Sequence, residues 1–163
     1  MPARTTPEPS APDTRDSSPA DTAATPGSAA TLFDAAIARY QQGAPPEEVI
    51  DDFLRITAQQ PRLSAGWTCL AWLQLLLDQP NTALKSARTA VRLNPQDPQA
   101  RINLSVAMLE TNQKGVREHM ELVQRVMVLA PELADELREA IADGLRRRPG
   151  WQALEKVRGW LQA

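Results

Sequence analysis

Residues 64–97 read SAGWTCLAWLQLLLDQPNTALKSARTAVRLNPQD, and they decide the fold. The first half is apolar on almost every side, which is typical of a helix that is buried all round. After the turn DQPN, Ala83, Ala87 and Ala90 recur at helical spacing. Pro95 then ends this second segment, because a proline disfavours helical geometry in the residue before it. The stretch therefore predicts two helices joined by a short turn.

The same plan recurs on both sides of this stretch. Pro61 lies 34 residues before Pro95, and Pro131 lies 36 residues after it. Apolar residues at helical spacing fill residues 33–56 around the turn GAPPEE, and no strand-like alternation interrupts them. A helix–turn–helix period of about 34 residues indicates an all-α solenoid, in which the stacking of at least three units makes the core.

The repeated unit resembles the tetratricopeptide repeat (TPR), whose pattern is W-x2-L-G-x2-Y, then A-x3-F, then Pro. The central unit matches this pattern at Trp67, Leu70, Ala71, Gln74, Ala83, Ala87, Ala90 and Pro95. The first unit matches at Phe33, Ala36, Ile37, Tyr40, Val49, Phe53, Ile56 and Pro61, and the third at Arg101, Leu104, Ser105, Met108, His119, Val123, Val126 and Pro131. The resemblance implies a right-handed TPR solenoid with repeats at 30–63, 64–97 and 98–131, the last with two extra residues in its turn.

Two further helices are predicted in residues 132–163. The first carries an apolar residue at every fourth position: Leu133, Leu137, Ile141 and Leu145. The second follows the sequence Pro-Gly and carries another apolar stripe: Trp151, Leu154, Val157 and Leu161. Because a solenoid needs a cover for its open end, we interpret the first as a capping helix. The short turn favours an antiparallel pair, so we expect the last helix to dock on the capping helix and to leave the concave face open.

Residues 1–29 differ in composition from the rest of the chain. They contain no Leu, Ile, Val, Phe, Trp or Tyr, so they cannot bury enough apolar surface to offset the entropy of ordering them. We predict a disordered tail. The N-terminus lacks the apolar core of a secretory signal, and no apolar stretch reaches the roughly 20 residues that span a bilayer. We therefore expect a cytoplasmic protein, with peripheral association with a membrane complex as an open alternative.

The sequence contains few residues or motifs that are typical of catalytic or metal sites. A single Cys69 and a single His119 cannot form an internal disulfide or a multi-ligand Cys/His metal site. No Gly-rich phosphate loop, GxSxG or Cys-x-x-Cys occurs. The net charge of −2 does not indicate a general polyanion binder. We therefore predict no catalytic residues, no cofactor and no metal, and we do not expect nucleic acid as the main partner.

The resemblance to TPR proteins implies that particular positions of each first helix line a concave groove. In the second and third repeats the predicted partner-binding surface is mainly apolar: Trp72, Leu75, Leu76, Ile102, Asn103, Val106 and Leu109. A contiguous exposed apolar patch of this kind favours a binding site. The open alternative is that Trp72 and Leu75 pack between neighbouring helices, or under the C-terminal helix of the chain itself.

TPR domains that hold chaperone C-termini clamp two carboxylates with Lys, Arg and Asn side chains. At the matching positions this chain has Asp34, Ala38, Cys69, Gln99 and Asn103. None of these residues is a cation, so we do not expect the acidic tail of a chaperone as the partner.

These features predict a non-catalytic protein–protein interaction scaffold or adaptor that binds an apolar peptide or helix. An assembly factor for a membrane complex, such as a photosynthetic one, is the similar class that we name first. The alternative is binding of nucleic acid or an anionic membrane surface. That alternative depends on a basic patch near the C-terminus: Arg146, Arg147, Arg148, Lys156 and Arg158.

Overall fold

The computed structural model describes residues 29–162 of the chain. This range forms eight helices: α1 Ala29–Gln41, α2 Pro46–Gln59, α3 Ser64–Leu76, α4 Pro80–Leu93, α5 Pro98–Glu110, α6 Val116–Leu129, α7 Pro131–Arg147 and α8 Gln152–Gln162. It contains no strand, and the predicted all-α solenoid is confirmed. The tail predicted at residues 1–29 lies outside the described residues, except for the helical Ala29.

Proline sets the start of several helices. Pro46, Pro80, Pro98 and Pro131 are the first residues of α2, α4, α5 and α7. A proline is tolerated in the first turn because the N–H that it lacks would have no partner there. The side chain of Asp97 caps α5 by accepting a hydrogen bond from the backbone N–H of Gln99 at 2.9 Å.

The helices from α1 to α6 stack in chain order. Each packs against the next. The helix α3 also contacts α5 directly, although α4 lies between them in the sequence. Residues 111–115 connect α5 to α6, whereas residues 77–79 connect α3 to α4. Small buried residues such as Ala71, Ala83 and Ala90 allow the helices to approach closely. We call the side formed by α1, α3 and α5 the inner face.

The last two helices fold back as a hairpin. Gly150 has a φ of +75°, which lies in the left-handed region that glycine tolerates, and it reverses the chain between α7 and α8. The helix α8 contacts α5 and α6 as well as α7. The two helices of the hairpin therefore pack against the solenoid as well as against each other. No helix within residues 29–162 is both long and apolar enough to cross a bilayer.

Candidate partner-binding groove

The centre of the predicted groove is buried under the hairpin of α7 and α8. Leu75, Ile102 and Val106 are fully buried, and Trp72 is 9% exposed. The indole of Trp151 lies against that of Trp72 with the ring centroids 5.5 Å apart. The expectation that the groove stays open is therefore wrong at its centre. The physical reason is that a helix as short as α8 is marginal alone, so its apolar stripe is buried on α5 as well as on α7.

The other predicted groove residues also belong to the packed interior or its edge. Leu76 and Leu109 are half-buried and pack against the core. Asn103 is fully buried, and its amide nitrogen donates to the carbonyl oxygen of Thr68 at 2.9 Å. Its side-chain oxygen accepts from the amide of Gln99 at 2.8 Å. Asn103 thus ties α5 to α3.

A polar network fixes α7 to α1 and α3. The indole N–H of Trp72 donates to the hydroxyl oxygen of Tyr40 at 2.9 Å, and the Tyr40 hydroxyl donates to Asp143. The Nε of Arg147 donates to the same carboxylate at 3.0 Å, and its guanidinium lies 3.8 Å from the centroid of the Tyr40 ring. Burial, followed by the hydrogen bond to Asp143, raises the pKa of Tyr40 above its ordinary value. The hydroxyl therefore stays protonated and continues to donate.

Two arginines at the end of α7 bind backbone carbonyls in the last turns of α1 and α3 and in the turn after α1. Arg147 donates to the carbonyl oxygens of Tyr40 at 2.6 Å and Ala44 at 2.8 Å. Arg148 donates to the carbonyl oxygen of Leu75 at 2.8 Å. The last carbonyls of a helix lack partners within the helix. The carbonyls of Tyr40 and Leu75 accept the N–H groups of Gly43 and Asp78 in the following turns. The two arginines add a second hydrogen bond to each carbonyl and so hold α7 against α1 and α3.

The predicted basic patch does not form one free cationic surface. Besides these carbonyl contacts, Arg148 pairs with Glu110 and with Asp78, each at 3.1 Å. Arg146 pairs with Glu139 at 2.8 Å. Lys156 lies 5.6 Å from the ring centroid of Trp160, and Arg158 is exposed. The prediction of a joint patch is wrong, because three of its five cations are held by acids and carbonyls of this chain.

A cavity of about 190 Å³ remains on the inner face between α1, α3, α5 and α7. Its lining is largely apolar and includes Ile37, Cys69, Trp72, Leu73 and Ala140. Polar groups also line it: Tyr40, Thr68, Gln99, Asn103 and Asp143. Of the predicted groove residues, Trp72 and Asn103 contribute to this cavity. Ile37, Tyr40, Ala140 and Asp143 were not among the predicted site residues, since helical spacing alone does not tell which face α7 covers.

Neither Cys69 nor His119 is arranged for chemistry. Burial, followed by the nearby charge of Asp97, raises the pKa of the Cys69 thiol to about 12. The thiol is therefore neutral and acts as an apolar wall of the cavity. His119 lies 2.7 Å from a guanidinium nitrogen of Arg101; burial and that positive charge lower its pKa. Within residues 29–162, no group of three or more His, Cys, Asp or Glu side chains is placed to hold a metal ion.

Comparison with known proteins supports the fold. No family model and no curated protein matches the sequence. Among solved structures, the chain is similar to the Yersinia enterocolitica type III secretion translocator chaperone SycD, with 16% identity, a TM-score of 0.56, and coverage of 70% of this chain and 85% of SycD. A second structure of SycD, described as an alternative dimer, gives 15% identity and a TM-score of 0.57 over 77% and 97% of the two chains.

A third similar structure is the first TPR of Spaghetti (RPAP3) bound to the HSP90 peptide SRMEEVD. It shows 23% identity and a TM-score of 0.52, with coverage of 69% of this chain and 91% of that one. At these identities the likeness concerns the fold. The eight described helices, their stacking and these neighbours together show that the chain has the fold of a TPR-type helical repeat protein.

Proposed function

We propose that the chain is a protein-interaction scaffold that binds a peptide segment by seating one apolar side chain in the inner cavity. The observation that supports this most is the cavity itself, at about 190 Å³ with mainly apolar walls. An apolar cavity of about 150 Å³ can hold benzene, so this one has room for a Leu, Ile or Phe side chain. Protein ligand sites commonly combine such walls with a few polar groups that orient the ligand.

The polar groups of the cavity suit a peptide backbone. Gln99 lines the cavity and donates its amide N–H to Asn103. Its side-chain oxygen accepts no hydrogen bond among the described residues, so it is free to accept one from a backbone N–H of the ligand. Thr68 and Asn103 are engaged within the chain and serve to hold the walls in place.

The peptide-bound neighbour supports a peptide as the class of ligand, although not its sequence. The first TPR of Spaghetti is bound to a peptide that ends in EEVD. The matching positions here carry no Lys or Arg, and the charged residue that lines the cavity, Asp143, is an acid. We therefore propose a partner other than an acidic chaperone tail. An assembly-factor role, in the cytoplasm or beside a membrane or photosynthetic complex, would mean that the bound segment belongs to a subunit awaiting assembly.

A displayed library of random peptides, selected on residues 1–163, tests this proposal. Ala140 is half-buried in the cavity wall, and Ala140→Trp should fill the cavity. Burial of one apolar side chain stabilises a complex by about 1.5–3 kcal/mol, so selected peptides should bind this variant at least ~10-fold more weakly. The matched control is Ala58→Trp on the exposed side of α2, which should bind like the wild type. Equal binding to all three proteins would refute the proposed site.

The alternative of nucleic-acid or membrane-surface binding has less support. Its strength would depend on the number of free cations that meet phosphates. Arg146, Arg147 and Arg148 are paired within the chain. We therefore place the peptide hypothesis first.

A further inference from the structure

The open side of the cavity has a definite position on the solenoid. Arg147 and Arg148, at the end of α7, contact carbonyls at the C-terminal ends of α1 and α3. The inner face is therefore closed at those ends. Tyr40 and Asp143 line the cavity at this closed end, whereas Gln99, in the first turn of α5, and Thr68, in the N-terminal half of α3, line it on the other side. The open side of the cavity thus faces the N-terminal ends of the inner helices.

Three acidic residues border this end of the inner face, as helical spacing and one contact indicate. Asp34 lies one helical turn before the lining residue Ile37, and Glu136 lies one turn before the lining residue Ala140. Residues three or four positions apart share a helix face. Asp97 approaches the cavity from α5: its carboxylate is 3.4 Å from the hydroxyl of Thr68, a lining residue.

These acids are not neutralised by the chain. Asp34, Asp97 and Glu136 have no Lys or Arg partner within residues 29–162. No Lys or Arg is among the described residues that line the cavity. Asp143, which also lines it, is already paired with Arg147 at 3.0 Å. The unpaired charge around the opening is therefore negative.

Helix dipoles oppose this charge but do not cancel it. The N-terminus of a helix carries roughly half a positive elementary charge, and the effect fades within the first turn. The N-terminal ends of α1, α3, α5 and α7 together contribute about two positive charges, and Asp97 already accepts the N–H of Gln99 at the end of α5. Three full negative charges exceed that amount.

We infer that the cavity selects a segment in which the apolar anchor residue is flanked by Lys or Arg, because the carboxylates of Asp34, Asp97 and Glu136 border the cavity and form no ion pair within residues 29–162. This inference rests on the proposed function and adds the chemistry of the partner. Burial of the apolar anchor residue supplies most of the binding free energy, and the basic flanking residues contact the carboxylates at the surface. Such contacts between surface charges raise the association rate and the selectivity more than the affinity, and salt weakens them.

The test uses a peptide library with a central Leu, Ile or Phe and flanking positions randomised among Lys, Glu and Ser. We expect Lys to be enriched on both sides of the anchor. The selected peptides should bind the double variant Asp34→Lys/Glu136→Lys about tenfold more weakly at low salt, and the difference should shrink at 0.5 M NaCl, because salt screens charges at the surface. The control Asp51→Lys/Glu155→Lys makes the same charge change at two exposed positions on α2 and α8 and should bind like the wild type.

The possible outcomes separate this inference from the proposed function. One outcome is that the selected peptides bind Ala140→Trp more weakly yet show enriched Glu, or no charge preference, at the flanking positions. That result would support the cavity as the site and would overturn the inference that the anchor is flanked by Lys or Arg. Equal weakening by the two double variants would also overturn the inference, because the effect would then follow net charge alone. Peptides that are indifferent to Ala140→Trp would overturn both.

Discussion

Gly144 of α7 lies directly against the indole of Trp72. A Cβ at position 144 would be 2.6 Å from two carbons of that ring and 2.9 Å from a methyl carbon of Leu154. Real side chains do not approach so closely, so only glycine allows α7 and Trp72 to pack in this way. Trp72 is consequently a core residue beneath the hairpin rather than the floor of an open groove.

Substitution of Gly144 should therefore lower the stability of the protein. Gly144→Ala gains helix propensity of about 1 kcal/mol, but the methyl group meets a rigid ring, and overpacking costs typically 1–3 kcal/mol. We expect a net loss of stability in urea unfolding. Gly159 on α8 has nothing within 4 Å of its Cβ position, so Gly159→Ala should instead raise stability by about 0.5–1 kcal/mol. Stabilisation by both changes would contradict the close packing of α7.

The hydroxyl of Tyr40 should couple α1 to α3 and α7. Tyr40→Phe leaves the indole N–H of Trp72 without its acceptor, and an unsatisfied buried donor costs about 1–3 kcal/mol. The double variant Tyr40→Phe/Trp72→Phe removes both partners, so its cost in chemical denaturation should be less than the sum of the two single costs. Strict additivity would show that this hydrogen bond contributes nothing to stability.

Glu110 should make stability depend on pH. Burial raises its pKa, although hydrogen bonds from Trp151 and Arg148 lower it, and its Oε2 is buried without a hydrogen-bond partner. A carboxyl whose pKa is higher in the folded state binds protons more tightly there. Its contribution to stability therefore falls as pH rises from the unfolded pKa, about 4.3, through the folded one.

The comparison of Glu110→Gln with the wild type isolates this contribution. The amide keeps an acceptor for the indole of Trp151 and does not titrate. The free energy of unfolding of the wild type, relative to that of the variant, should be lower at pH 7 than at pH 4. Glu155→Gln, at an exposed position on α8, is the control for a general charge effect. A relative stability of the wild type that rises with pH would contradict the assignment.

The helices were predictable because their signals are local. The apolar spacing of residues 64–90 and the prolines that begin α2, α4, α5 and α7 depend on neighbours in the chain. The position of the C-terminal hairpin depends on distant contacts. Trp151 belongs to an apolar stripe that fits either α7 or α5, and the stripe alone does not choose between them.

The site was predictable in part for the same reason. Repeat positions placed Trp72 and Asn103 on the inner face, where they line the cavity. The sequence places Arg147 in a basic patch, yet two of its acceptors are carbonyls 103 and 107 residues away. Every residue has a backbone carbonyl, so the sequence does not indicate which carbonyls an arginine will contact. The glycine at position 144, inside an otherwise regular helix, was the available sign of a close approach.

Alkylation of Cys69 tests the central claim most directly, because this single cysteine is part of the cavity wall. Because burial raises the pKa of the Cys69 thiol, iodoacetamide should react with it at pH 8 far more slowly than with an unperturbed thiol. The rate is therefore best measured near pH 9 with and without a saturating peptide from the selection. We predict that the bound peptide slows alkylation at least ~10-fold, because the seated anchor side chain would block the access of the reagent to the thiol. An unchanged rate at full peptide occupancy would show that the peptide binds elsewhere and would contradict the cavity as the site.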